Sequence, residues 1–173
     1  MAEETPRFCD NRFSRPITSL MTGFLSSIGL ETAPAVLSQE TFLPGLMISH
    51  GILLIDEARL TYPGDVLHEA GHIAVTPAAQ RRELHQSAGS DAGEEMAAIA
   101  WSYAAALYIG IDLAIVFHAD GYRGSSPAIV ENFSQGRYLG VPLLEWYGLT
   151  AGRKEAASLQ IPSYPHMLRW LRD

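Results

Sequence analysis

Residues 65–75 have the sequence Asp-Val-Leu-His-Glu-Ala-Gly-His-Ile-Ala-Val. His68 and His72 are four residues apart, so in a helix their imidazoles lie on the same face, one turn from each other. Apolar residues occupy most of the remaining positions and give the segment a surface to bury. The sequence therefore predicts a helix over 66–75, capped by Asp65, that carries two histidines on one face.

The same segment matches the pattern H-E-x-x-H. Glu69 lies about 100° round the helix from His68, where its carboxylate can hold a metal-bound water and accept its proton. Zinc suits imidazole ligands and lowers the pKa of a bound water towards neutrality. The pattern thus predicts a zinc site with His68 and His72 as ligands and Glu69 as the catalytic general base. The alternative is an amphipathic helix whose histidines and glutamate are only solvated or packed.

A catalytic zinc site needs a third protein ligand. The metzincin pattern would place Gly at position 75 and His at position 78, and Val75 and Ala78 exclude it. Glu94 and Glu95 instead open a long apolar helix predicted over 93–109. Adjacent helical side chains point about 100° apart, so we expect only one of these two carboxylates to bind the metal.

These motifs resemble those of a known class of metalloproteins. His68-Glu69-Ala70-Gly71-His72 followed by Glu95 resembles the gluzincin arrangement, and Glu95-Met96-Ala97-Ala98-Ile99-Ala100 is similar to the Glu-Ala-x-x-Phe-Ala segment of the ImmA/IrrE family of small zincins. The resemblance covers about residues 46–110 and implies a zincin-like fold with Glu95, rather than Glu94, as the third ligand. The resemblance does not extend to a helix-turn-helix segment, so a repressor-cleaving role is not implied.

Other side chains are candidates for the site. His118, in the loop after the apolar helix, could donate a hydrogen bond to the developing oxyanion or serve as an alternative metal ligand. Tyr122 could do the same, with Arg123 binding a carboxylate. His85 and Asp91 lie between the two predicted ligand helices and are alternative third ligands if Glu95 does not bind.

The pattern of elements predicts an α+β fold, mostly helical, with a small sheet beside the zinc helix. We expect one zincin-like domain over 1–173, with 1–13 as a loose N-terminal arm. Residues 46–49 and 52–55 flank His50-Gly51 and predict a β-hairpin. Further helices are predicted over 16–28 with Ser14 as the cap, over 93–109 with Asp91 or Ser90 as the cap, and over 111–117, 127–133, 141–147 and 164–171.

Charge and cysteine content narrow the class of protein. The formal net charge is −7, and no basic cluster exceeds Arg81-Arg82 or Arg153-Lys154, which argues against nucleic acid as the main partner. Cys9 is the only cysteine, so an internal disulfide is impossible. The N-terminus does not resemble a secretory signal, and we predict a cytoplasmic protein.

Residues 96–117 form a long apolar stretch that could be either a membrane span or a buried helix. Asp112 is the only charged residue in this stretch, which is long enough to cross a bilayer. Its many Ala, Ser, Tyr and Gly residues give a weak insertion energy, and Asp112 would cost about 3 kcal/mol more. A buried core helix is therefore predicted, and an intramembrane protease is the alternative.

Besides an intramembrane protease, two functions remain open from the sequence. The first is a zinc-dependent hydrolase, most simply a small metallopeptidase acting on a peptide or protein. The second is a non-catalytic zincin-like module, in which the metal holds the helix over 66–75 against the helix over 93–109 and the protein binds or regulates a partner. Glu69 favours the first, because a structural metal site does not need a carboxylate there. The substrate and the oligomeric state stay undetermined.

Overall fold

The structure, a computed structural model, describes residues 10–38, 40–86 and 91–173. Within this part of the chain helices predominate beside a small sheet, which confirms the predicted α+β class. Residues 1–9 of the predicted arm and the alternative cap Ser90 lie outside the described residues. In chain order the elements are α1 (Pro16–Ser27), β1 (Thr32–Pro34), β2 (Leu46–Ser49), β3 (Ile52–Ile55), α2 (Asp65–Val75), β4 (His85–Gln86), α3 (Ala92–Ile109), α4 (Leu113–Val116), α5 (Ser126–Ser134), α6 (Val141–Trp146) and α7 (Arg153–Leu159), with single 3-10 turns at Arg81–Glu83 and Tyr122–Gly124.

The sheet is built around the predicted hairpin, in which β2 and β3 pair in antiparallel register and Ser49 faces Ile52. His50 and Gly51 form the turn with φ angles of 51° and 77°. A type I′ hairpin turn requires this left-handed conformation at both positions. Strand β1 pairs with β3 in parallel and β4 pairs with β2 in antiparallel, giving the order β1-β3-β2-β4. The hairpin therefore forms the centre of the sheet, and α2 packs against both of its strands.

Helix α1 begins at Pro16 as predicted, but the predicted cap by Ser14 is wrong. Arg15 is the N-cap residue, and its side chain makes no capping hydrogen bond. The carboxylate of Glu57, in the loop after β3, instead accepts hydrogen bonds from the backbone N–H groups of Ser14 (2.8 Å) and Arg15 (3.1 Å). A carboxylate is favourable here because it faces the positive end of the helix dipole. This long-range contact ties α1 to the sheet.

The contact between α2 and α3 positions the candidate site. A Cβ atom at Gly71 would lie 2.9 Å from the carbonyl oxygen of Ala98 and 3.2 Å from Oγ of Ser102. The Ser102 hydroxyl lies 2.7 Å from the Ala98 carbonyl oxygen and 3.2 Å from that of Leu67. The two backbones are thus closer than a larger residue at position 71 would allow, so the glycine at this position permits the close packing of α2 against α3.

Helix α3 is the predicted core helix. Its N-cap is Asp91, whose carboxylate accepts hydrogen bonds from the backbone N–H groups of Gly93 (2.8 Å) and Glu94 (3.0 Å). It ends at Gly110, which has a left-handed φ of 72°, and most of its residues between these ends are buried. Among the described residues, no helix combines the length and the apolarity needed to cross a membrane.

The remaining predicted helices are present with shifted bounds, with one exception. Helices α5 and α6 cover 127–133 and most of 141–147, and the helix over 111–117 is reduced to α4. The helix predicted over 164–171 is wrong, because that segment contains no helix. Its side chains pack on α3 instead, where the Tyr164 hydroxyl donates to the carbonyl oxygen of Ala100 at 2.9 Å. Contacts with α3 therefore take the place of the predicted helix.

Candidate metal centre

The two histidines of α2 meet at one point on its surface. Nε2 of His68 lies 3.2 Å from Nε2 of His72, and the two ring planes cross at 82°. Both side chains are largely buried, with exposed fractions of 12% for His68 and 5% for His72. The structure thus places both imidazoles on one helix face, as their spacing predicts.

Glu95 of α3 completes a group of three side chains. Its Oε1 lies 3.6 Å from Nε2 of His68, and its Oε2 lies 3.1 Å from Nε2 of His72. Tetrahedral coordination at zinc bond lengths separates ligand atoms by about 3.3 Å, so these distances fit a single ion. Within the described residues, His68, His72 and Glu95 form the group of histidine, cysteine or acidic side chains that could hold a metal ion.

The start of α3 brings Glu95, and not Glu94, to the histidines. The backbone N–H of Glu95 donates to the carbonyl oxygen of Asp91 at 3.0 Å. Glu95 therefore belongs to the first turn of α3, and its side chain projects from that turn. The close packing at Gly71 then holds that turn beside α2. Glu94 is not among the converging side chains, in agreement with the choice that the family resemblance implies.

Burial and hydrogen bonding favour the protonation states of His68 and Glu95 that bind metals. Burial lowers the pKa of His68 to about 4, an effect that His72 increases and Glu95 opposes. The pKa of Glu95 is lowered, most strongly by a hydrogen bond from His72. At neutral pH His68 is therefore a neutral imidazole and Glu95 an ionised carboxylate, which are the forms that coordinate a metal.

Each histidine of the group also buries a ring nitrogen that has no hydrogen-bond partner. Nδ1 of His68 and Nδ1 of His72 meet no donor or acceptor of the described chain, whereas most buried polar atoms are paired. Metal-binding histidines usually donate this second N–H to a neighbouring acceptor. The Nε2 atoms are the ring nitrogens that converge with Glu95, while in the described chain the Nδ1 atoms lack the acceptors that usually orient metal-binding rings.

Glu69 lies on α2 between the histidines but outside the group of three. Its exposed fraction is 8%. Burial raises the pKa of its carboxyl group to about 7; His72 opposes the rise, while Asp65 and Glu95 add to it. A carboxyl group that titrates near neutrality can exchange a proton under working conditions, as a general base must.

His118 lies beside the first turn of α2, where its Nε2 is 3.0 Å from Oδ1 of Asp65. The predicted cap by Asp65 is therefore wrong, because the N-cap is Gly64 and the Asp65 side chain pairs with His118. The ring of Tyr62 stacks on His118 with centroids 3.8 Å apart. Sequence reasoning missed this pair, because the two residues are 53 positions apart in the chain and no local pattern marks their contact.

Tyr122, the other candidate donor, touches a member of the group directly. Its ring meets the His68 ring edge-on, with centroids 5.2 Å apart. Its hydroxyl is buried and has no hydrogen-bond partner in the described chain. Burial raises the pKa of Tyr122 well above its ordinary value, and Asp65, Glu95 and Glu69 raise it further. The phenol group therefore stays protonated beside the His68 ring, and its hydroxyl is a buried hydrogen-bonding group without a partner in the described chain.

The two alternative third ligands lie outside the group of three. Asp91 uses its carboxylate to cap α3. The exposed ring of His85 packs against the exposed ring of His50 with centroids 4.0 Å apart. No other described acidic, cysteine or histidine side chain converges with this pair to complete a metal group.

Comparison with known proteins adds no further support. No protein-family profile matches the chain, and no curated protein or solved structure is significantly similar to it. The resemblance to gluzincins and to the ImmA/IrrE family therefore rests on the quoted residues. The structure itself shows a site, formed by His68, His72 and Glu95, that could hold a metal ion.

Proposed function

We propose that this protein is a zinc-dependent hydrolase, most simply a small metallopeptidase that acts on a peptide or protein. The observation that carries the proposal is the convergence of His68, His72 and Glu95 while Glu69, adjacent to His68 in the chain, stays outside the group. Structural zinc sites almost always have four protein ligands, whereas catalytic sites have three and keep one position open. Three ligands with a free carboxylate beside them therefore favour catalysis.

The choice of zinc follows from the donor set. Two imidazoles and one carboxylate are ligands found together in catalytic zinc sites, although imidazole also binds other transition metals. Bound there, zinc would polarise the substrate carbonyl and lower the pKa of a water towards neutrality.

Glu69 is the proposed general base. Its carboxylate accepts a proton from the attacking water while the hydroxyl adds to the acyl carbon of the scissile bond. The C–N bond then breaks, and Glu69 returns the proton to the leaving amine. The low exposure of Glu69, 8%, supports this role because bulk water does not compete for the proton.

Tyr122 is better placed than His118 to bind the carbonyl oxygen of the substrate. The Tyr122 hydroxyl is buried and unpaired within the described chain, and its raised pKa keeps the donor proton in place. Nε2 of His118 is already engaged by Asp65. We therefore assign oxyanion stabilisation to Tyr122 and the positioning of its loop against α2 to His118.

Metal analysis of the purified protein tests the first part of this proposal. We expect about one zinc ion per chain in the wild type, because the site has the three protein ligands of a catalytic centre. His68→Ala removes one of the ligands and should lose the ion. A metal content near zero in both proteins would contradict the proposal.

Hydrolysis of casein and of a fluorogenic peptide tests the second part. Glu69→Gln should retain zinc and lose about a hundredfold or more in rate, since it removes the proton acceptor. Glu94→Gln, an adjacent acid outside the group, should keep both zinc and activity. Zinc binding without hydrolysis by either the wild type or Glu69→Gln would instead support a non-catalytic module in which the metal joins α2 and α3.

A further inference from the structure

The turn that carries Tyr122 also brings Arg123 to the site. Residues Tyr122–Gly124 form a single 3-10 turn. The ring of Tyr122 is fixed against His68 and against Phe117, with centroid distances of 5.2 Å and 5.3 Å. Arg123 follows directly and is exposed. Its side chain therefore starts one residue from a contact with a member of the metal group.

The backbone of this turn is strained. Tyr122, Arg123 and Gly124 have consecutive φ angles of 52°, 54° and 79°, a conformation in which only the glycine is free of steric cost. The Ser126 hydroxyl closes the loop by donating to the carbonyl oxygen of His118 at 2.7 Å. Strain of this kind persists where surrounding contacts enforce it, and it concentrates at functional sites.

Arg123 acts electrostatically on Glu95 but does not pair with it. A hydrogen bond from His72 is the largest cause of the lowered pKa of Glu95, and the charge of Arg123 contributes to it. The salt bridges of Glu95 are nevertheless to His72 and His68. Arg123 makes no hydrogen bond or salt bridge with any residue in the described ranges. Its guanidinium, with five N–H donors, is therefore available to a ligand.

We propose that Arg123 binds a carboxylate of the substrate beside the scissile bond, namely the C-terminal carboxylate of a peptide. The inference rests on the proposed hydrolase function and names its substrate class. A planar guanidinium matches a carboxylate through two parallel hydrogen bonds. With Tyr122 holding the scissile carbonyl, the protein would remove the last residue of a peptide.

The charge around the site explains why such a substrate would depend on Arg123. Asp65, Glu69 and Glu95 all act electrostatically on Tyr122, and the whole chain carries a formal net charge of −7. These carboxylates repel an anionic substrate unless cations at the site offset them. Loss of the Arg123 charge should therefore weaken binding of a peptide acid far more than binding of its uncharged amide.

Three acetyl-capped peptides test the proposal: a free acid, the C-terminal amide of the same sequence, and an amide in which the last residue is replaced by glutamate. We expect the wild type to prefer the free acid in kcat/KM by about tenfold or more, the effect of a hydrogen bond to a charged group. Arg123→Gln should lose this preference through KM, and Arg123→Lys should keep part of it. Arg82→Gln, at an exposed arginine outside the proposed site, is the control. A preference for the glutamate amide would overturn the C-terminal assignment.

A binding measurement separates this inference from the hydrolase proposal. Titration of the metal-free wild type with 3-phenylpropanoate and with 3-phenylpropanamide, followed by NMR, reports carboxylate binding without hydrolysis. Binding of the acid only, lost in Arg123→Gln, supports the carboxylate site even if no peptide is cleaved. Peptide cleavage that is equal for the acid and the amide, and unchanged by Arg123→Gln, would overturn the inference and leave the hydrolase proposal standing.

Discussion

Among the described residues, two pairs of histidines are in contact, and the pairs differ in what surrounds them. His68 and His72 cross edge-on with centroids 4.7 Å apart, and His50 and His85 do so at 4.0 Å. The first pair is largely buried and meets Glu95 from a second helix, whereas the second pair is exposed at the hairpin turn and β4. Contact between imidazoles is therefore not enough to form a group that could hold a metal ion. The distinguishing features are a converging carboxylate and the burial of both rings.

Removal of one histidine from each pair should give the largest difference between the pairs, which we expect in zinc content. His68→Ala or His72→Ala removes a ligand, and we expect zinc to be lost from the protein on dialysis. His50→Ala and His85→Ala should leave the zinc content at the wild-type value, because neither ring belongs to the group of three. Zinc that survives His72→Ala but is lost in His85→Ala would reverse the comparison and move the site to the hairpin.

The second largest effect is expected from removal of the Glu95 carboxylate, which only the buried histidine pair contacts. Glu95→Gln should weaken zinc affinity by at least about a hundredfold, since loss of even an outer hydrogen-bond partner costs about ten- to a hundredfold. Glu94→Gln is the matched control and should bind zinc as the wild type does. Competition with a chelating dye measures both affinities. Equal affinities in the two variants would show that Glu95 is not a ligand.

The range of each contact decided how much of this site the sequence could predict. The relation of His68 to His72 lies within one helix, so their spacing was sufficient. Convergence of Glu95 depends on the packing of α2 against α3, and only the family resemblance selected it over Glu94. The pairing of His118 with Asp65 joins residues far apart in the chain, and no local pattern marks it.

The same distinction holds for the fold. The hairpin with its His50-Gly51 turn and the cap of α3 by Asp91 depend on neighbouring residues, and both predictions are confirmed. The cap of α1 and the conformation of 164–171 depend on partners elsewhere in the chain. Glu57 replaces the predicted cap, and packing on α3 replaces the predicted helix. Helical spacing of apolar residues indicates a buried face, but another element can satisfy it without a helix.

The close approach of α2 and α3 at Gly71 holds the Glu95 carboxylate beside His68 and His72. Gly71→Ala adds a Cβ atom 2.9 Å from the Ala98 carbonyl oxygen, so α2 and α3 must separate. We expect the free energy of unfolding to fall by about 1–3 kcal/mol and zinc affinity to fall with it. Gly110→Ala is the control: its Cβ would meet nothing within 4 Å, but its φ of 72° is unfavourable for alanine. It should lower stability while leaving zinc affinity unchanged.

The smallest expected effect concerns two residues with strained backbone conformations, one beside the metal group and one away from it. Arg123 and Gln160 have nearly equal left-handed φ angles, 54° and 55°, but only Arg123 lies in the turn beside the metal group. Replacing either residue with glycine relieves the steric cost and should raise stability by about 0.5–1 kcal/mol, after allowing for the greater freedom of glycine in the unfolded chain. Thermal unfolding should show a rise of about 2–4 °C per kcal/mol.

The two variants should then differ in selectivity. Arg123→Gly should lose the preference for peptides with a free C-terminal carboxylate, because it removes the guanidinium, while Gln160→Gly should retain it. A gain in stability accompanied by a loss of selectivity at position 123 would show that the chain keeps an arginine in an unfavourable conformation for the sake of the site. Retention of selectivity by Arg123→Gly would instead make the strain at positions 123 and 160 equivalent, with no functional role for either.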